Sequence, residues 1–299
     1  MTAPESVPDD VAVLILTFNS ADVIERTVNA ARQVGSTIIC VDSGSTDGTQ
    51  DILRQLGCQL HERAFKNYAD QRNWAIENLG NRFAWQLHLD ADEILDNDAI
   101  GAIRSSLLQP GARVGFILHR RTYFLGRPLH FGGASNWHLR LFRTGHARCE
   151  DRLYDQHFIC SGPTSVIPGW LDDMNVGSLT EWIARHNRWS DMEARELLRP
   201  AQLADTLRGK LSGDPRQRRR AYKGFYYRVP RYLRVWLLFL YRYGLQLGFL
   251  DGRAGFLYAF YQTLWFRMLV DTKLEQLSAE TAPAGLNNEQ VPPQLPARR

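Results

Sequence analysis

Val11-Ala12-Val13-Leu14-Ile15-Leu16-Thr17-Phe18-Asn19 is the stretch whose reading decides the fold. Six apolar residues in a row, without alternation, are the pattern of a strand buried on both faces. The run ends in small polar residues, and Ser20 is placed to cap a helix from Ala21 that buries Val23, Ile24 and Val28. The unit then repeats. Residues 37–41 read as a second strand, which ends in Asp42-Ser43-Gly44-Ser45-Thr46-Asp47-Gly48-Thr49 and leads to a helix through Ile52, Leu53 and Leu56. A short strand at 58–61 and a helix at 68–79 follow. Phe83-Ala84-Trp85-Gln86-Leu87-His88-Leu89 is a strand running into Asp90-Ala91-Asp92-Glu93, Asp96 opens another helix, and 114–119 adds another strand. This alternation predicts an α/β domain, a mostly parallel sheet flanked by helices on both faces.

In such sheets ligands collect beyond the carboxyl ends of the strands. Thr17 and Asn19, Asp42, and Asp90 with Asp92 all stand at those ends. Asp90 and Asp92 flank one alanine, so an extended backbone points both carboxylates to one side. Paired carboxylates bind Mg²⁺ or Mn²⁺ through oxygen and leave coordination positions for phosphate. Standing alone, the pair reads more readily as acidic residues capping the following helix; its place on the shared edge favours the metal. Asp42 suits hydrogen bonding to a ribose or base, although Asp-Ser-Gly is also good turn chemistry. Asp47 reads as the residue opening the next helix. The chain has neither GxGxxG nor GxxxxGK[ST], so neither a dinucleotide fold proper nor a P-loop is supported.

The stretches 14–19, 41–49 and 89–93 together resemble glycosyltransferase family 2, inverting enzymes with the Rossmann-like GT-A fold. Asn67-Tyr68-Ala69-Asp70-Gln71-Arg72-Asn73-Trp74 and Trp137-His138-Leu139-Arg140-Leu141-Phe142-Arg143 are similar to the bacterial branch that includes lipopolysaccharide-core and exopolysaccharide glucosyltransferases. The resemblance covers about the first two-thirds of the chain. It implies a nucleotide-sugar donor, UDP-linked by family frequency, and a Mn²⁺ or Mg²⁺ cofactor. Thr17, Asn19 and Asp42 would border the nucleoside, and Asp90 and Asp92 would face the metal diphosphate. Arg72 would lie by the nucleotide, where a planar guanidinium pairs with phosphate. His138 would approach the metal, although a lone histidine is more often structural.

An inverting transfer also needs a carboxylate base for the acceptor hydroxyl. Candidates lie in Cys149-Glu150-Asp151-Arg152-Leu153-Tyr154-Asp155-Gln156-His157-Phe158. Related enzymes often carry Val-His-Glu here and this chain does not. Asp155 stands nearest that position and beside His157, with Glu150 and Asp151 as open alternatives. Competing functions are a nucleotidyltransferase and a catalytically inactive sugar- or lipid-binding scaffold.

The four cysteines form no CxxC pair, which argues against a disulfide framework or zinc site. The N-terminus has no signal-like core, and no uncharged apolar run approaches the roughly 20 residues that span a bilayer. The net charge of +4 hides an asymmetry: residues 207–253 hold twelve Lys/Arg against two acids, +10, leaving −6 for the rest. Arginines there are interleaved with Trp236, Phe239, Tyr241, Tyr243, Phe256, Tyr258 and Phe260, around a turn at 250–255. The expected division is a flexible N-terminus at 1–10, a GT-A domain at 11–200, a basic helical membrane-associating region at 201–278 and a disordered tail at 279–299. Its expected partners are a lipid-linked glycan acceptor and an anionic membrane surface met by residues 207–273, at the cytoplasmic face of the inner membrane. Nucleic acid is not expected, since no recognisable module accompanies the charge; an oligomer is left open.

Overall fold

The structure is a computed structural model that describes residues 10–174, 177–199 and 206–281. Apart from Asp10, the expected flexible N-terminus lies outside the described residues, as do the boundary at Pro200 and most of the tail. Residues 279–281, expected in that tail, are helical.

Strands β1 (Val11–Thr17), β2 (Thr37–Asp42), β3 (Gln59–Glu62) and β4 (Trp85–Asp90) pair in parallel in the order β3-β2-β1-β4. Val11, Val13 and Ile15 share one core with Ile24 and Val28 of helix α1 (Ile24–Ala31) and Leu53 of α2 (Thr49–Gln55). Ala12, Leu14 and Leu16 face the other way, toward Ala75 of α3 (Tyr68–Asn78). Both faces of β1 are thus covered, and each large aliphatic buried contributes about 1.5–3 kcal/mol. That accounts for the uninterrupted run. Ser20 does not cap α1, which starts at Ile24 without a side-chain cap. Its hydroxyl instead donates to the Phe18 carbonyl at 3.0 Å, and its amide donates to Thr49 Oγ1 at 2.8 Å, binding the two loops together.

The far half of the sheet is mixed, which corrects the mostly parallel expectation. The remaining strands are β5 (Glu93–Leu95), β6 (Gly115–Phe124), β7 (Arg127–Pro128), β8 (Asn136–Arg143), β9 (Ala147–Cys149), β10 (Phe158–Cys160) and β11 (Thr164–Asp173). The order continues β4-β8-β6-β11-β5, with β8 antiparallel to β4 and β6, and β5 antiparallel to β11. After α4 (Asn97–Leu108) no crossover helix separates β6 from β8. A short link permits only antiparallel neighbours, and the small β7 hairpin is such a link.

Helix α5 (Leu179–Leu198) opens with a capping box of Ser178 and Glu181. α6 (Pro215–Tyr226) follows. α7 (Leu233–Phe239) widens into a π turn over Leu240–Leu245, the chain reverses at Gly248–Asp251, and α8 (Gly252–Ala259) leads through a second π turn to α9 (Phe266–Thr281). α9 packs along α5. Much of the basic segment finds its partner within the chain. Arg220 donates to Glu150 at 2.8 Å, and Lys223 reaches Glu193 at 2.7 Å and Asp155 at 3.1 Å. Arg267 meets Glu193 at 2.7 Å. Arg234, expected to meet anionic lipid, is buried against Asp271 with its guanidinium over Tyr226 and Tyr227.

Candidate active site

The loops after β1 and β2 form one unit around Asp42, which is wholly buried. Its carboxylate accepts from Thr17 Oγ1 at 2.8 Å, the amides of Gly44 and Ser45 at 3.0 and 2.8 Å, Ser45 Oγ at 2.6 Å and Gln50 Nε2 at 2.8 Å. Burial alone would raise its pKa; the bonds from Ser45, Gln50 and Thr17 outweigh that and hold it below the usual range. Asn19 adopts a left-handed backbone, φ 46°, its amide donating to Ser45 Oγ at 2.9 Å and its Oδ1 accepting from Thr46 N at 2.9 Å. Asp47 accepts from Thr49 N at 3.0 Å at the start of α2, as expected, and also from the Ala21 amide at 2.9 Å. Thr17, Asn19 and Asp42 are thus brought together, with all three side chains or their backbones used to shape the loop.

Asp90 ends β4 between two arginines: Arg72 of α3, which contacts Oδ1, and Arg140 of β8, whose Nη2 donates to Oδ2 at 2.8 Å. Arg140 also bonds Glu93, which is fully buried and accepts from the Asp90 amide at 3.0 Å. Arg120 of β6 stands 3.8 Å from Glu93 and 3.2 Å from Asp173 at the end of β11. Burial would raise Asp90, but Arg72, Arg140 and Arg120 together hold it well below the carboxylate range. Asp92 is the odd member: Arg72, Arg140 and Arg120 are taken up by Asp90, Glu93 and Asp173, and Asp92 makes no side-chain hydrogen bond or ion pair among the described residues. Burial, then Asp173, Asp90 and Glu93, push it up to about 8, opposed by Arg185 of α5. Arg72 Nη1 is buried and has no acceptor among the described residues. Tyr68, at the start of α3, feels Asp90, Asp92 and Arg185 and so overlooks the same cluster.

An excess carboxylate and an orphaned guanidinium N–H in one place suit a cation with an anionic ligand. Among the described residues no three His, Cys, Asp or Glu side chains converge to hold a metal by themselves. His138 accordingly does not complete a triad with Asp90 and Asp92. It bonds Asn136 Oδ1 at 2.7 Å and stacks near His157 at 5.7 Å, and burial, with Arg120 and Arg140 close by, keeps it well below its usual pKa. Oxygen ligation of the Mg²⁺ type needs only one or two carboxylates plus ligand phosphates, and Asp90 and Asp92 are the carboxylates at this strand end that would meet that need.

The three acids considered as base have different surroundings. Glu150 is fully buried and accepts from the His157 amide at 2.9 Å, the Leu207 amide at 2.9 Å and Arg220. Asp155, with φ 60°, is held by Lys223 and lies 3.6 Å from His157 Nε2. Burial would raise it, yet Lys223, His157 and Arg220 hold it well below the ordinary range. Asp151 is exposed, has Arg199 at 3.6 Å as its ion-pair partner among the described residues, and opens onto a cavity of about 430 Å³ with Asn67, Asp70 and Asn73 at the start of α3.

The sequence reasoning missed Arg120, Arg140, Asp173 and Tyr68. Two signals were present: Arg140 sits alone between Leu139 and Leu141 of a strand, and Asp173 is the second of two acids at a strand end.

The rickettsial protein described as an uncharacterized glycosyltransferase of Rickettsia bellii (strain RML369-C) is 33% identical over 94 residues, 31% of each chain. The chain therefore spans about a third of that relative's length. The lipopolysaccharide core biosynthesis glycosyltransferase LpsC of Rhizobium meliloti (strain 1021) is 26% identical over 258 residues, 83% of this chain and 88% of that one. Among solved structures, residues 1–349 of S. aureus TarS superpose with a TM-score of 0.41 at 14% identity, covering 89% of this chain and 91% of that one. Residues 12–168, just over half of the chain, match the model of glycosyl transferase family 2. With its α/β sheet and the acidic and polar clusters on one edge of it, the chain belongs to glycosyltransferase family 2.

Proposed function

We propose that the chain is an inverting glycosyltransferase that moves a sugar from a UDP-sugar to a membrane-lipid-linked glycan in cell-surface polysaccharide or lipopolysaccharide synthesis. The observation that carries this reading is Asp92, crowded by carboxylates and without a hydrogen bond or ion pair among the described residues, beside the Arg72–Asp90–Arg140 network and on the same sheet edge as the Thr17–Asp42 loop. The loop would border the nucleoside. Arg72, through its free Nη1, would bind and orient the diphosphate. Mn²⁺ or Mg²⁺, held by Asp90 and Asp92, would supply positive charge against the departing diphosphate. Asp151 takes the acceptor proton in this scheme, because Glu150 and Asp155 are engaged by Arg220 and Lys223, while Asp151 keeps an accessible carboxylate.

The acceptor reading rests on the hairpin's outer surface. Leu233, Trp236, Leu237, Leu240 and Tyr241 recur at helical spacing and are exposed, as are Phe256 and Phe260 on the returning arm. Exposed Arg228, Arg231 and Arg253 flank them. Apolar residues ringed by arginine fit the headgroup boundary of the cytoplasmic leaflet. No helix among the described residues is long and apolar enough to cross a membrane, and a peripheral attachment requires none.

The test is nucleoside diphosphate release from a panel of sugar nucleotides, with and without Mn²⁺, in the presence of membrane extract. Metal-dependent UDP release matched by incorporation of sugar into lipid is expected. Pyrophosphate release, or no turnover with any donor, would overturn the reading.

A further inference from the structure

Within Asn67-Tyr68-Ala69-Asp70-Gln71-Arg72-Asn73-Trp74, Tyr68 and Arg72 stand four residues apart on α3 and share the face on which Arg72 meets Asp90. Asp70, Asn73, Trp74 and Glu77 recur at the same helical spacing on a different face, and that face lines the cavity of about 430 Å³ beside Asp151. One helix thus borders two places, the donor cluster and a cavity with chemistry of its own.

The walls of this cavity are held by the fold. Asn73 clamps the end of β9: its Nδ2 donates to the Cys149 carbonyl at 3.0 Å and its Oδ1 accepts from the Cys149 amide at 2.8 Å. The segment that carries Asp151 is thereby tied to α3. Asn67 caps the helix, its Oδ1 accepting from the Asp70 amide at 2.8 Å, and its side-chain N–H₂ has no acceptor among the described residues. Arg63, which follows β3, lies with its guanidinium carbon 5.2 Å from the centre of the Trp74 ring and pairs with Asp70. A guanidinium so placed is fixed in direction and keeps N–H groups to spare. The Arg63 bond holds Asp70 below the usual carboxylate range, and Lys66 adds to that effect. Lys66 and Glu77 are exposed and make no hydrogen bond or ion pair among the described residues.

Arg63 and Lys66 therefore face Asp70, Glu77 and Asp151, which leaves the acids in excess and no surplus positive charge for a phosphate. Donors and acceptors alternate along one wall beside a half-buried indole. A pyranose has the matching pattern, hydroxyls that both donate and accept around an apolar C–H surface. The volume lies within the roughly 300–1,000 Å³ of small-molecule sites. Taking the glycan acceptor proposed above as the starting point, we propose that this cavity is a carbohydrate-binding site that holds an uncharged or amino sugar of that glycan. A glycan seated there lies next to the exposed Asp151 carboxylate.

Saturation-transfer NMR on the full chain with saturating UDP and Mg²⁺ tests this, using the methyl glycosides of glucose, galactose, mannose, glucosamine and glucuronic acid. At least one neutral or amino glycoside is expected to bind, and the glucuronide more weakly than that one. Lys66→Ala with Glu77→Ala should weaken binding about 10-fold, in line with lost hydrogen bonds to charged groups. Both side chains are exposed, so the double variant folds, and its UDP affinity checks this. Glu25→Ala, in the first turn of α1, should leave sugar binding unchanged. With membrane extract as acceptor, the double variant should need about 10-fold more extract for half-maximal rate, while kcat and donor KM hold. No binding of any glycoside, equal binding by the parent and the double variant, or a preference for the glucuronide would overturn the proposal. Glycosides that bind the parent and not the double variant, with no transfer to extract, would keep the sugar site and overturn the acceptor reading instead.

Discussion

Glu193 is where the C-terminal helices are fastened to the rest of the molecule. It sits on α5, 1% exposed, and accepts from Tyr227 at 2.7 Å, with Lys223 of α6 and Arg267 of α9 each at 2.7 Å. Burial alone would raise its pKa; Arg267 and Lys223 outweigh that and bring it from 4.5 to about 2. A depressed acid stabilises the fold fully above its unfolded pKa and loses that contribution as pH falls through the folded one. The gap converts to about 3 kcal/mol, present above about pH 4.5 and lost toward about pH 2. Glu193→Gln keeps the shape but leaves Arg267 and Lys223 with less charge to meet, for which removal of one partner costs about 3–5 kcal/mol in a buried pair. Urea unfolding at pH 7 should show that loss, and the variant's stability should fall less steeply than the parent's between about pH 4.5 and pH 2. A cost under about 1 kcal/mol, or parallel pH profiles, would show that the helices are not held through this carboxylate.

Further expectations follow from the same geometry. Asp92→Asn should lower sugar transfer by at least about 100-fold with no loss of stability, because Asp92 has no partner to strand; Asp90→Asn should lower both, since Arg72 and Arg140 lose their shared acid, as kinetics and melting curves would report. Asp151→Asn should reduce kcat by about 100-fold or more with little change in donor KM, whereas Asp155→Asn should chiefly destabilise; the reverse pattern would return the base to Asp155. Trp236→Ser with Leu240→Ser should weaken flotation with anionic liposomes while nucleoside diphosphate release from donor alone is unchanged.

The parallel half of the sheet was legible because β1 buries both faces and so runs apolar from Val11 to Leu16 until the strand ends, while β4 keeps its apolar residues at Trp85, Leu87 and Leu89 around a buried Gln86 and His88. The mixed half was not, because β6, β8 and β11 carry arginines and tryptophans whose partners lie far along the chain: Arg120 meets Asp173, and Arg140 meets Asp90. Asp90 and Asp92 could be read as a pair from spacing. Their opposite surroundings, one neutralised by arginines and one pressed by carboxylates, depend on strand order and could not. The charge asymmetry was likewise visible, but part of it, Arg220, Lys223 and Arg234, is matched within the molecule by Glu150, Asp155, Glu193 and Asp271, while Arg218, Arg219, Arg228, Arg231 and Arg253 stay exposed.

Asp42 carries a consequence for how a donor would arrive. With five hydrogen bonds already closing on its carboxylate, the loop from Ser43 to Gln50 is set before any ligand is present. Ordering a loop on binding commonly costs about 0.5–1.5 kcal/mol for each immobilised side chain. Here that entropy is lost during folding, so nucleotide capture should be fast, nearly rigid and weakly dependent on temperature. Slow, adaptive steps would then belong to the acceptor, on the side of the cleft where the helices meet the sheet.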